Sequence, residues 1–254
     1  MLNNYAKRFS LTSFGGGNWS WLTGFEQVVT NGVSTYYAID YALTSRIVTF
    51  NQFWVLQGYQ NLPYSYSYAT LYVGGYFYFS SNQYFYKTYS NFIEIKSYQN
   101  TEAYYRQFFY DSASRKFYVA PSNLPRIDVF DQSCSLLQSI NLGSKQPHGL
   151  AFFDGSIYAS VLNSNQVLVI QNGLVSRYFT VSQCPVSLHT ILAITVDSFG
   201  YVALSCYSGN LIFIYDSNGN YMNSILTSPY PHVSAIDADR RFVIMNSKYL
   251  DIYY

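Results

Sequence analysis

The chain is short of charge. Asp, Glu, Lys and Arg make up 11% of its 254 residues, about half the usual share of a soluble domain. The net charge is +1, and the fourteen Lys and Arg are scattered. A nucleic-acid footprint needs them clustered, so no nucleic-acid partner is expected. No apolar run approaches eighteen residues, so the sequence predicts no transmembrane helix and no membrane insertion. The N-terminus shows no secretory apolar region. No Gly-rich phosphate loop follows a strand, and no G-x-S-x-G elbow is present. Glutamate is limited to Glu26, Glu94 and Glu102.

Cysteine is scarce too. Cys134, Cys184 and Cys206 are widely spaced and match no zinc pattern. They read as small buried hydrophobes. The alternative is one disulfide and one free thiol in an oxidising compartment. Asn18-Trp19-Ser20 is a single glycosylation sequon, which points toward an extracellular setting.

Against these gaps stand 29 tyrosines and 19 phenylalanines. Tyr and Phe favour strands, and a tyrosine can pack its ring while its hydroxyl meets water. The tyrosine excess is read as β-propensity on an uncharged surface. Its alternative is an aromatic contact surface for a sugar, a peptide or a protein.

A repeat of about forty residues runs through the chain. An apolar strand opens at Tyr36, Tyr76, Phe117, Ile157, Tyr201 and Phe242, at intervals of 40, 41, 40, 44 and 41. The copy from Gln146 to Val181 is the clearest. It parses as strands over Gly149–Phe153, Ile157–Val161, Gln166–Ile170 and Leu174–Val181, with hairpin signals at Asp154-Gly155 and Asn172-Gly173. The last copy ends at Leu250–Tyr254, a third strand without a fourth. Tyr5–Leu11 resembles Val175–Val181, a fourth strand. The N-terminal strand is therefore expected to complete the last blade and close a ring, which removes exposed sheet edges. The predicted fold is all-β: one domain over residues 1–254, a six-bladed β-propeller of four-stranded antiparallel blades.

Two runs resemble the NHL repeat. Phe117-Tyr-Val-Ala with Asn123-Leu-Pro-Arg-Ile-Asp-Val-Phe-Asp131 carries its Asn-x-x-Arg-Ile approach to the third strand. Pro147-His-Gly-Leu-Ala with Asp154-Gly-Ser-Ile-Tyr158 is similar to its opening. The wider YVTN and SMP-30-like propellers share this grammar. That resemblance implies a ring of Glu, Asn and Asp near the axis in calcium-dependent members. Here Glu26, Asp40, Asn123, Asn163 and Asn246 give an incomplete counterpart, and Asn or Asp in a turn has an ordinary structural role.

The three histidines form the other constellation. His148, His189 and His232 all fall at the start of the first strand in consecutive copies. In a propeller these starts face the central channel mouth, and three imidazoles can hold zinc with an open position. Tyr104 and Tyr105 sit at the matching place one copy earlier. The ordinary alternative is a turn or packing role for each histidine.

The expectation is a non-enzymatic binding module with no obligatory cofactor. It would recognise a protein, peptide or glycan through the face carrying the second-to-third-strand loops, with Tyr104, Tyr105, Asn123, Asn163 and Asn165 as ligand-binding candidates. Neighbouring domains of a longer parent chain are further candidate partners. The alternative is a zinc-dependent lyase or hydrolase built on His148, His189 and His232 at the channel mouth.

Overall fold

The computed structural model describes residues 5–10, 22–40, 45–184, 191–206, 209–227, 231, 233–236, 242–245 and 249–253. β1 (Tyr5–Ser10) comes first. β2 (Leu22–Thr30), β3 (Val33–Asp40), β4 (Arg46–Asn51) and β5 (Leu56–Asn61) form one sheet. The next holds β6 (Ala69–Val73), β7 (Tyr76–Ser80), β8 (Tyr84–Thr88) and β9 (Glu94–Gln99). Another holds β10 (Tyr105–Asp111), β11 (Lys116–Pro121), β12 (Arg126–Phe130) and β13 (Leu136–Asn141). β14 (Pro147–Phe153), β15 (Ser156–Val161), β16 (Gln166–Gln171) and β17 (Leu174–Thr180) follow. β18 (Ile191–Val196), β19 (Val202–Cys206), β20 (Leu211–Tyr215) and β21 (Tyr221–Leu226) come next. β22 (Val233–Ile236), β23 (Phe242–Met245) and β24 (Tyr249–Tyr253) complete the strands.

The described strands thus make six four-stranded antiparallel sheets. The architecture is an all-β propeller of four-stranded antiparallel blades. β1 pairs with β24 in register Arg8↔Asp251 and Phe9↔Leu250, so the two chain ends meet in one sheet. The first strand of each sheet contacts the first strand of the next, and β22 contacts β2. The forty-residue markers lie in or directly beside the second strands.

Local chemistry explains the turns. Asp154-Gly155 and Asn172-Gly173 both take positive φ, as their two-residue hairpins require. A second turn type links third to fourth strands. Asn51 Oδ1 accepts from the backbone N–H groups of Phe53 and Val55, each at 3.0 Å. Asp131 does the same for Ser133 and Ser135, and Asp216 for Asn218 and Asn220. The fourth residue of each turn has positive φ: Trp54 at 63°, Cys134 at 59° and Gly219 at 89°. Bulky residues rarely adopt this conformation. Trp54 is held there because its ring is buried and stacks on Tyr36 with centroids 4.0 Å apart. At Gly219 the equivalent space is taken by Phe179, whose Cγ would lie 2.6 Å from an added Cβ.

The core lies between sheets rather than at the axis. Ile127, Val129, Leu150, Ile157 and Leu168 join two neighbouring sheets in one buried cluster. Phe85, Phe117 and Phe130 join another pair. Second and third strands are nearly all apolar because both faces are covered, whereas fourth strands such as Leu174–Thr180 are largely exposed.

Candidate functional site

First strands start, and second strands end, on one rim of the ring. Bulges there re-aim the side chains. The register shifts between Tyr105 and Phe108, and again between Pro147 and Leu150, so Arg106-Gln107 and His148-Gly149 are bulged. Buried serines satisfy the freed backbone groups. Ser160 Oγ accepts from Gly149 N at 2.8 Å, and Ser205 Oγ accepts from Ala193 N at 2.8 Å. Ser80 donates to the Arg106 carbonyl of the next sheet.

These bulges send side chains across the channel mouth. Gln107 donates Nε2 to the Ile194 carbonyl at 3.2 Å, passing over the intervening sheet. Tyr68, in the connection that enters β6, and His148 of β14 come from blades that are not neighbours, yet their rings meet edge to face at 6.0 Å. The Arg106 guanidinium lies over the same Tyr68 ring, 4.1 Å from its centroid. Arg106 Nε donates to Ser122 Oγ at 3.4 Å, and Ser122 Oγ donates to the Tyr104 carbonyl at 3.2 Å. The mouth is therefore lined by an aromatic ring, a cation and an imidazole.

Beside it on the same rim is a cleft of about 480 Å³ lined by Tyr64, Tyr66, Tyr84, Tyr104, Ser81, Asn82 and Gln83. That volume is within the range of small-molecule sites. Tyr64 and Tyr84 stack with centroids 3.9 Å apart. Burial pushes the Tyr64 phenol above its ordinary pKa, so it stays neutral at physiological pH. Among the described residues the buried Ser81 hydroxyl has no protein partner, which is costly unless a ligand or water completes it. Asn82 uses its backbone carbonyl to accept from Tyr105 N at 3.1 Å, and its side-chain amide has no protein hydrogen bond among the described residues. The chemistry offered is aromatic faces for stacking and uncharged groups for hydrogen bonding.

The candidates named from sequence fall in different places. Tyr104 lines the cleft and is 46% exposed. Tyr105 is instead fully buried, donating its hydroxyl to Asp128 Oδ2 at 2.9 Å. Burial, then the Asp128 charge, raises its pKa. The structure makes Tyr105 a core residue, because the bulge that follows turns its side chain inward. Asn123 brackets a connection: its Oδ1 accepts from Tyr104 N at 2.7 Å, and its Nδ2 donates to the Glu102 carbonyl. Asn163 takes positive φ in the exposed loop before β16. Asn165 accepts from Val181 N at 2.8 Å through its backbone carbonyl. His148 is buried at the mouth. His189, His232 and Asn246 lie outside the described residues.

Glu26, on β2, faces the next sheet. Burial pushes its carboxyl up to about 8, partly offset by the Tyr72 backbone amide. Cys184 and Cys206 form a disulfide with Cα atoms 5.9 Å apart, and Cys134 is a buried free thiol. The bridge ties the connection after β17 to the end of β19, on the same rim.

No family model and no curated protein matches the sequence. Solved structures do. The chain is similar to a virginiamycin B lyase from Staphylococcus aureus at 14% identity, over 94% of this chain and 80% of that one, with a TM-score of 0.70. It is similar to a gluconolactonase from Xanthomonas campestris at 12% identity, over 92% and 86%, with a TM-score of 0.68. It is also similar to the WD40 β-propeller domain of Doa1 at 10% identity, over 94% of both chains, with a TM-score of 0.65. The shared property is the β-propeller fold. At such identities it carries no activity with it.

Sequence reasoning missed Tyr64, Tyr66, Tyr68, Ser81, Asn82 and Arg106. One signal was present. Tyr64-Ser-Tyr-Ser-Tyr68 alternates aromatic and small residues in the connection between a fourth and a first strand. Nothing local pairs it with Tyr84 or Tyr104, which come from other loops of the rim.

Proposed function

We propose that the chain is a non-enzymatic recognition module, a six-bladed ring of the NHL type, that binds a peptide, protein or glycan through this rim. The six sheets and the contact between β22 and β2 support the ring. The tyrosine-lined cleft carries the functional reading, because it combines stacking surfaces with a buried hydroxyl that has no protein partner among the described residues. Propellers hold such loops on a rigid frame. The Cys184–Cys206 bridge supports an extracellular setting. Low charge speaks against nucleic acid as a partner. The test is a glycan and peptide array probed with the wild-type chain and with Tyr104→Ala and Asn82→Ala. Ligands bound by the wild type should be lost by both variants. Binding that survives both changes would remove the cleft from the reading.

A second reading is a metal-dependent lyase or hydrolase at the channel mouth. The place of His148 at that mouth supports it. Zinc would polarise a carbonyl or activate a water. Elemental analysis of untagged protein decides between the two. About one metal per chain, lost in His148→Ala, favours the enzyme. Metal-free protein that still binds its ligand favours recognition.

A further inference from the structure

Arg106 differs from the other arginines of this rim. Arg46 is ion-paired with the buried Asp40, and Arg126 with the buried Asp128 at 2.8 Å. Arg106 has no carboxylate partner among the described residues. Its guanidinium is held by the Tyr68 ring and by Ser122, and it is half-buried. A guanidinium is always protonated, and its planar fork suits a carboxylate. Withdrawing it partly from water without a counter-ion is unfavourable. The acid on the adjoining connection, Glu102, is exposed and forms no ion pair among the described residues.

We propose that Arg106, fixed by Tyr68 and Ser122, binds the carboxylate of an acidic sugar whose neighbouring rings lie in the tyrosine cleft. The Ser122 hydroxyl joins the two places, since it accepts from Arg106 and donates to the Tyr104 carbonyl. A single guanidinium matches a monoanion better than a phosphate dianion. Stacked tyrosines with Asn82 and Gln83 match sugar rings, which offer apolar faces and hydroxyls at once. This inference rests on the recognition reading above.

The test is calorimetric titration with oligogalacturonates and with their methyl esters, which keep the rings and lose the charge. The wild type should bind the acid form about tenfold or more tightly than the ester, because a charge-assisted pair contributes at least that much. Arg106→Gln should bring the two affinities together, and Arg106→Lys should restore only part of the difference. Thermal melts of each variant confirm folding. Equal binding of acid and ester by the wild type, lost in Tyr104→Ala, overturns the carboxylate site but keeps the cleft. Arg106-dependent binding of an acidic peptide, with none of the sugars, overturns the sugar assignment and keeps the rim as a binding face. Binding of no probe on the array and of neither sugar overturns both.

Discussion

Gln107 and Ile194 are hydrogen-bonded across a whole intervening sheet, with Gln107 Nε2 at 3.2 Å from the Ile194 carbonyl. The side chain passes directly over Gly149 of β14. A Cβ there would meet Gln107 Oε1 at 2.7 Å, Ser160 Oγ at 2.9 Å and Ile194 Cγ2 at 3.0 Å. The rim is thus tied internally, and glycine is what lets the tie pass.

Gly149→Ala should destabilise the fold by about 1–3 kcal/mol, the usual cost of overpacking. Gln107→Ala should relieve part of this by removing the nearest atom. Urea denaturation of both single variants and the double variant gives the coupling. Strict additivity would show that the two residues do not meet.

Trp54→Ala should cost about 3–5 kcal/mol. The change removes a ring that stacks on Tyr36 and approaches Phe25. Trp54→Gly should cost somewhat less than Trp54→Ala, because glycine relaxes the positive φ that alanine keeps. Denaturant midpoints of the two variants check the order.

Reduction, or Cys184→Ser with Cys206→Ser, should lower stability by about 3 kcal/mol, as expected for a bridge spanning 22 residues. Cys134 should resist alkylation in the native protein, since burial pushes its thiol up to about 12. Urea denaturation with and without reductant checks the first statement, and iodoacetamide labelling followed by peptide mapping checks the second. Rapid native labelling of Cys184 or Cys206 would show that they are not bridged.

Glu26 should make stability fall as pH rises. Its carboxyl moves from 4.5 to about 8 on folding. Between those values the folded state holds a proton that the unfolded state has released, so raising pH favours unfolding. The effect is absent below about pH 4.5 and complete above about pH 8. Glu26→Gln should flatten this part of the profile and be more stable than the wild type at pH 8. A wild-type profile parallel to that of the variant would show that Glu26 is solvated.

The strand pattern was legible because it is local. Alternation and turn chemistry at Asp154-Gly155 and Asn172-Gly173 place β14 to β17 within a few residues. The period placed β3, β7, β11, β15, β19 and β23. The pairing of β1 with β24 was legible from the missing fourth strand and from the likeness of Tyr5–Leu11 to Val175–Val181. Positive φ at Trp54 and Cys134 was not legible, since turn propensity favours glycine there and burial overrode it. Tyr105 shows the same limit. Its spacing matches Tyr104, yet a bulge sends one ring into the core and leaves the other on the rim.

By itself, then, the sequence determined the repeated unit, its four strands and the joining of the two chain ends, because periodicity and hairpin chemistry act over a few residues. Tertiary structure decided which side chains meet. Gln107 with Ile194, Tyr68 with His148 and Arg106, Cys184 with Cys206, and Tyr64 with Tyr84 and Tyr104 come from different sheets or loops. Their encounters depend on ring closure and on bulges that turn individual residues, and no short-range rule records either.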